Sequence, residues 1–286
     1  MAPLADRLMS FVVERFPFAL PAVRIALQSC NVGKDATDQH SIERLRPILC
    51  QELSKRLGEI AASDLPETTP GVTAAARLQA ARDELVEACD GFLTREAIAA
   101  SLTDDERREI LRGMILTRAV DNRLKQFFLS GEIKYQDVPF QGKGFRSLGQ
   151  EAIYAAAIRL KRGPQRSDSA RGWQGDIVGP IIRDLGVALA MRPEPATVRM
   201  VLNAQMAKSG PPMDGRDLHI GDWEWGILPA TAPLSISTLS IAGIAMAFFR
   251  EGQGRVALSF IGEGGSSLGE WHEAINLCAA RRLPAV

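Results

Sequence analysis

The segment from Arg255 to Asn276, RVALSFIGEGGSSLGEWHEAIN, constrains the fold of this chain more than any other. Val256, Ala257, Leu258, Ser259, Phe260 and Ile261 form a short, mostly apolar run, the pattern of a strand buried on both faces. Gly262, Gly264 and Gly265 follow at once. Glycine permits φ > 0 and lets another group approach the backbone closely. Ser267 and Glu270 have the S-x-x-E spacing of a capping box, which predicts a helix start. Leu268, Trp271, Ile275 and Cys278 recur at helical spacing and are expected to form the core face of that helix. Free N–H groups at a helix start attract phosphate. Glu263 alone would repel one, and a Mg²⁺ between them resolves the conflict, because carboxylate and diphosphate oxygens are both hard ligands. The layout therefore suits an anionic cofactor bound through a divalent metal.

Three rival motifs fit less well. The dinucleotide fingerprint G-x-G-x-x-G begins with Gly262 and Gly264, but Ser267 holds its third glycine position. A Walker A loop needs Gly-Lys-Ser/Thr, and no lysine stands here. Gly265, Ser267 and Gly269 do match G-x-S-x-G, the nucleophile elbow of α/β-hydrolases. An elbow puts its serine on the sharp turn directly after the strand, whereas Ser267 lies well beyond Ile261, where an N-cap belongs. A glycine turn in a βα unit with no ligand is the plainer alternative.

Lysine plus arginine and aspartate plus glutamate both number 34, so charge gives no case for nucleic acid or an anionic membrane. Asp6, Arg7, Glu14 and Arg15 interrupt the apolar N-terminal residues, which excludes a signal peptide or a membrane span there. Cys30, Cys50, Cys89 and Cys278 have neither C-x-x-C nor zinc spacing and read as incidental thiols of a reducing cytosol, hence a cytoplasmic chain.

Two parts are expected, residues 1–102 and 103–286. The first is helical. Leu8, Phe11, Val12 and Phe16 make an amphipathic stripe. Pro47 to Ile60 predicts a helix with the proline in its first turn. Ser63 to Gly71 reads as a loop or linker. Val72 to Leu102 is helical again, with Gly91 as an interruption. His40 and Cys50 read as surface and core residues. The second part opens with Thr103 and Glu106 in capping-box spacing, and a long helix is expected to end near Gly131. Ser147 and Gln150 predict another helix, Leu148 to Leu160. Ala196 to Lys208 and Thr238 to Arg250 predict two more, with a loop from Ser209 to Trp225 between them. Helices alternating with short strands imply an α/β, doubly wound parallel-sheet domain.

Residues from about 106 to 286 resemble the alpha subunit of thiamine-diphosphate-dependent 2-oxo acid dehydrogenases, the decarboxylating first component of the pyruvate, branched-chain and acetoin complexes. Five segments match in family order: Gly149-Gln150-Glu151-Ala152, Ile182-Arg183-Asp184, Gly215-Arg216-Asp217-Leu218-His219, Pro233-Leu234 with Gly243, and Gly262-Glu263-Gly264 with Glu270, Ala274 and Asn276. The resemblance implies thiamine diphosphate and Mg²⁺ as cofactors. Glu263 would be the metal carboxylate, and Gly262, Gly264 and Gly265 would line the diphosphate. Arg183 would contact the diphosphate with its fixed fork of donors; its plainer role is an ion pair with Asp184 or another acid. Leu234 would support the V-shaped cofactor, and His219 would stand near the reacting carbon. His272 is expected to face solvent or serve the fold, and Glu270 to serve as a cap. The implied reaction decarboxylates a 2-oxo acid, with the thiazolium accepting electrons as carbon dioxide leaves. The acyl group would then pass to a lipoyl-bearing acyltransferase. A beta subunit, or a fused beta half, would supply the glutamate that activates the aminopyrimidine.

The sequence departs from the family at several points. Ile182 stands for a usual tyrosine, and Ala232 for a frequent serine. Ile236 and Ser237 replace residues that help bind a potassium ion in some relatives, which puts that ion in doubt. The family's Asn-Asn pair, whose first member ligates the metal, is not seen before Val286. A C-terminally truncated domain is therefore expected, inactive alone and a poor binder of thiamine diphosphate; tight Mg²⁺-dependent binding by calorimetry would refute this. A hydrolase using Ser267 and a non-catalytic interaction remnant are the alternatives. The side chain of the 2-oxo acid is not legible.

Overall fold

The computed structural model describes residues 2–30, 37–59, 61–64, 66–140, 146–211, 213–216 and 218–286. Two compact units divide the chain, Met1–Thr103 and Asp104–Val286. Among the described residues, no helix is long and apolar enough to cross a membrane.

The first unit is built from α1 (Leu4–Arg15), α2 (Leu20–Ser29), α3 (Gln39–Gly58) and α4 (Ala74–Ser101). Its core follows from helical spacing. Ile42, Leu45, Leu49, Leu53 and Leu57 form one buried stripe on α3, and Leu85, Cys89, Leu93 and Ala97 form another on α4. Leu8 and Val12 of α1 join this core fully buried, with Phe11 and Phe16 packed at its margin. Asp38 caps α3 by accepting from Ser41 N–H at 3.1 Å, and Thr73 caps α4 by accepting from Ala76 N–H at 3.2 Å. Three expectations fail here. Pro47 lies inside α3, not in its first turn, because Asp38 starts the helix earlier. Gly91 does not interrupt α4, whose stripe of apolar residues runs through it. Ile60, the expected end of α3, lies outside the described residues. His40 is exposed, and Cys50 is half-buried in a surface cleft instead of lying in the core.

The second unit begins with α5 (Asp104–Ser130), close to the expected span. Then come two short hairpins, β1 (Lys134–Tyr135) with β2 (Val138–Pro139) and β3 (Ser167–Asp168) with β4 (Gly172–Trp173). The helix expected over Leu148–Leu160 is instead a 3₁₀ segment, Glu151–Ala157. Its buried residues, Glu151, Tyr154 and Ala157, recur every third position, which is the 3₁₀ period. The tight winding is set by contacts on that face. The Glu151 carboxylate accepts from Arg118 Nε at 2.6 Å, and Tyr154 packs so closely on α5 that a Cβ at Gly113 would lie 2.4 Å from its ring.

A short parallel pair organises the rest. β5 (Ile177–Gly179) lies beside β6 (Ala257–Ser259), with α6 (Leu185–Met191), α7 (Pro195–Gln205) and α8 (Ile236–Glu251) between them in the chain. Isolated parallel bridges extend the ladder on both sides, Val178 to Ile227 and Ala257 to Ala285. Asp176 fixes the entry of both strands, accepting from Lys161 N–H at 2.6 Å and Val256 N–H at 2.7 Å. All seven residues of α6 are buried in the core that also holds Val178, Ile227, Ile241 and Leu258. The unit is thus α/β, with strands far shorter than a regular doubly wound sheet.

The segment after β6 departs from its expected form. Gly265–Ser267 is a 3₁₀ turn, and α9 (Gly269–Arg281) starts beyond it with Leu268 at the N-cap and no side-chain cap. Ser267 and Glu270 make no capping box, because Ser267 is itself wound into the preceding turn. Ala274 is the buried residue of α9. Trp271, Ile275 and Cys278, expected to form a core face, line an apolar groove with Ile241 and Leu283, and Ile275 remains 45% exposed.

Candidate functional site

Three stretches leave the carboxyl ends of adjacent parallel segments and meet at one cavity of about 500 Å³. After β5 comes Ile181-Ile182-Arg183; after the Ile227–Leu228 segment come Ala230 to Ser237; after β6 comes Ile261 to Gly265. Open α/β sheets bind their ligands at such ends. His219 and Gln150 complete the lining. Every residue expected at the site, Arg183, His219, Leu234, Gly262, Glu263, Gly264 and Gly265, lines this cavity.

Each wall has a local cause. Asp184 is buried and turns its carboxylate back to accept from Ile181 N–H at 2.8 Å, which closes the turn that presents exposed Arg183. Burial pushes the Asp184 carboxyl up to about 6. Gln150 is set by two carboxylates. Asp121, on α5 and 1% exposed, accepts from Ser147 N–H at 2.7 Å and from Arg146 Nε at 2.7 Å. Glu151 accepts from Arg118 and, at 3.2 Å, from Gly149 N–H; the Arg118 guanidinium holds its carboxyl down at about 2. His219 is buried. Asp217 of the same loop lies outside the described residues.

The glycine turn is held closed by Gly265 and Ser266 N–H groups donating to Gly262 C=O at 3.0 and 3.1 Å, and by Ser266 Oγ donating to Glu263 C=O at 2.8 Å. None of its three glycines has positive φ. They matter instead for space. A Cβ at Gly264 would meet nothing within 4 Å, and one at Gly262 only Ile181 Cδ1 at 3.8 Å, so both leave the backbone open to approach. A Cβ at Gly265 would lie 2.5 Å from Ile261 Cδ1, so packing requires that glycine. Glu263 is exposed at the apex of the turn. Leu234, 57% exposed, projects beside Ser235, whose backbone is left-handed at φ 70°.

A cavity presenting one carboxylate, one guanidinium, a buried imidazole and bare glycine backbone suits a phosphorylated ligand carrying a cation, the arginine meeting phosphate and the carboxylate meeting metal. Among the described residues no group of three or more His, Cys, Asp or Glu side chains is placed to hold a metal, so Glu263 would need oxygen ligands from elsewhere. Ser267 is exposed and does not line the cavity, and His272 is exposed on α9. Gln150, Thr231, Ser235 and Ser237 line the cavity without having been expected as ligand contacts. Positive φ at Ser235 has no sequence signal, and Gln150 looked like a cap.

The family described as "Dehydrogenase E1 component" matches residues 167–286. The 2-oxoisovalerate dehydrogenase subunit alpha of Bacillus subtilis is 30% identical over 191 residues, 66% of this chain and 52% of that protein. The pyruvate dehydrogenase E1 component subunit alpha of the same organism is 25% identical over 205 residues, 68% of this chain and 45% of that protein. Its counterpart in Staphylococcus aureus is 24% identical over 205 residues, 71% of this chain and 48% of that protein. The chain thus spans about half the length of the curated relatives it matches.

Proposed function

We propose, for a chain that belongs to the alpha-subunit family of the dehydrogenase E1 components, that the cavity binds thiamine diphosphate with Mg²⁺ in service of oxidative decarboxylation of a 2-oxo acid. The observation that carries this is the convergence of sequence-distant segments, 181–183, 219, 230–237 and 261–265, on one cavity at the ends of parallel strands. Glu263 would supply a carboxylate to Mg²⁺, which takes hard oxygen ligands. Arg183 meets the diphosphate. Gly262, Gly264 and Gly265 let it approach the backbone. Leu234 would support the cofactor, and His219 would stand near its reacting carbon. Bound thiamine supplies an electron sink for cleaving the bond to the carboxylate of a 2-oxo acid. The chain's own residues bind, orient and shield it.

The parallel strands belong, on this proposal, to a doubly wound thiamine-diphosphate domain in the second unit, with the first unit as a helical extension. A beta subunit or fused beta half and a lipoyl-bearing acyltransferase are the proposed partners, and the cytoplasm the proposed location. The exposed Ser267, off the cavity, lends nothing to a hydrolase.

The test is a thermal-shift titration of the full chain with thiamine diphosphate at millimolar concentration, where even weak binding registers. A stabilisation that requires Mg²⁺ and disappears in Glu263→Ala is expected. A shift of equal size without Mg²⁺, or in Glu263→Ala, would refute the metal assignment.

A further inference from the structure

Ser235 is 2% exposed and holds its backbone at φ 70°, ψ −11°. That region disfavours residues with a Cβ, so the surroundings must hold a serine there. Its hydroxyl donates to the Gly265 carbonyl at 2.6 Å, across 30 residues of chain. Its own carbonyl accepts from Thr238 N–H at 3.0 Å in the first turn of α8. One buried side chain therefore ties together two walls of the cavity, the segment carrying Leu234 and the glycine turn carrying Glu263. The fit is close: a Cβ at Gly265 would lie 3.2 Å from Ser235 Oγ.

We propose that Ser235 is a positioning residue, a latch whose hydroxyl fixes the glycine turn against the Leu234 segment and so sets the cavity for a diphosphate cofactor. The ligand named here rests on the proposed function; the latch itself rests on the hydrogen bond and the backbone angle. Glycine adopts the left-handed region freely, so Ser235→Gly removes the hydroxyl while relieving the backbone. Ser235→Ala removes the hydroxyl and keeps the unfavourable Cβ.

Hydrogen exchange on the full chain separates the roles. In both variants the amides of Gly265, Ser266 and Leu268 should exchange about fivefold faster, the effect of losing one ordinary hydrogen bond. Ser235→Gly should melt no lower than the natural chain, and Ser235→Ala should melt lower. With Mg²⁺ present, the thiamine diphosphate concentration giving half the maximal thermal shift should rise about fivefold in both variants. A serine that only stabilised the fold would leave that concentration unchanged in Ser235→Gly. Unchanged exchange, or unchanged cofactor demand beside faster exchange, overturns the latch. If the natural chain shows no cofactor-dependent shift, the cofactor assignment fails, and the exchange result alone decides the latch.

Discussion

The two units bury their apolar residues to different ends. In Met1–Thr103 the side chains of α1 to α4 meet in one core built from helical stripes, with Leu49, Leu53 and Leu93 fully buried. In Asp104–Val286 an apolar core forms as well, but among the described residues its strands are only two or three residues long and release loops that bend toward a cavity. Charged groups sharpen the contrast. Arg46 grips Asp90 on the first unit's surface with bonds of 2.9 and 2.7 Å, whereas Asp121 and Asp184 of the second unit are buried and accept from the N–H groups of Ser147 and Ile181. Buried carboxylates that hold loops are costly for stability and useful for placement. A scaffold that tolerates them is organised around a site.

That contrast can be broken by substitution. The largest loss should come from Leu49→Ala, about 2–5 kcal/mol for a fully buried leucine, read by denaturant unfolding. It should leave amide exchange at Gly265 and Ser266 unchanged. Gly113→Ala should cost about 1–3 kcal/mol, because its Cβ would press on the Tyr154 ring at 2.4 Å. Retained stability there would mean that the 3₁₀ segment yields easily.

Asp184→Asn should act in the opposite direction. The unfolded chain ionises this carboxyl near its ordinary value of 3.8, while burial keeps it protonated in the folded chain up to about 6. The folded state therefore binds the extra proton between those values, and stability falls as pH rises from about 4 to about 6. Asparagine can still accept from Ile181 N–H and carries no charge. The variant should gain about 1–3 kcal/mol at pH 7 and lose that part of the pH dependence. An unchanged pH profile would show that the burial penalty is relieved elsewhere. Glu263→Ala, at an exposed turn, should change stability by less than about 0.5 kcal/mol while abolishing the Mg²⁺-dependent shift.

Regular helices were legible in the sequence, and local winding was not. The spans of α5 and α8 follow from apolar spacing sustained over many residues. The 3₁₀ segment at Glu151 and the turn at Gly265 escaped because distant partners choose their winding: Arg118 and Gly113 for the first, Ser235 and Ile261 for the second. Both misread capping boxes, Ser147 with Gln150 and Ser267 with Glu270, fell at those two places. Motif spacing singles out the expected site residues, and the fold brings them to one cavity. Their support was hidden. Asp121, Asp184 and Ser235 act through backbone groups that spacing does not reveal.

The most direct test of the central claim is a hydrogen-exchange map of the full chain with and without thiamine diphosphate and Mg²⁺. Protection should appear together at residues 181–183, 218–220, 230–237 and 261–266, and not along α1 to α4. Protection confined to another surface, or none at cofactor concentrations that saturate a thermal shift, would contradict the assignment of this cavity.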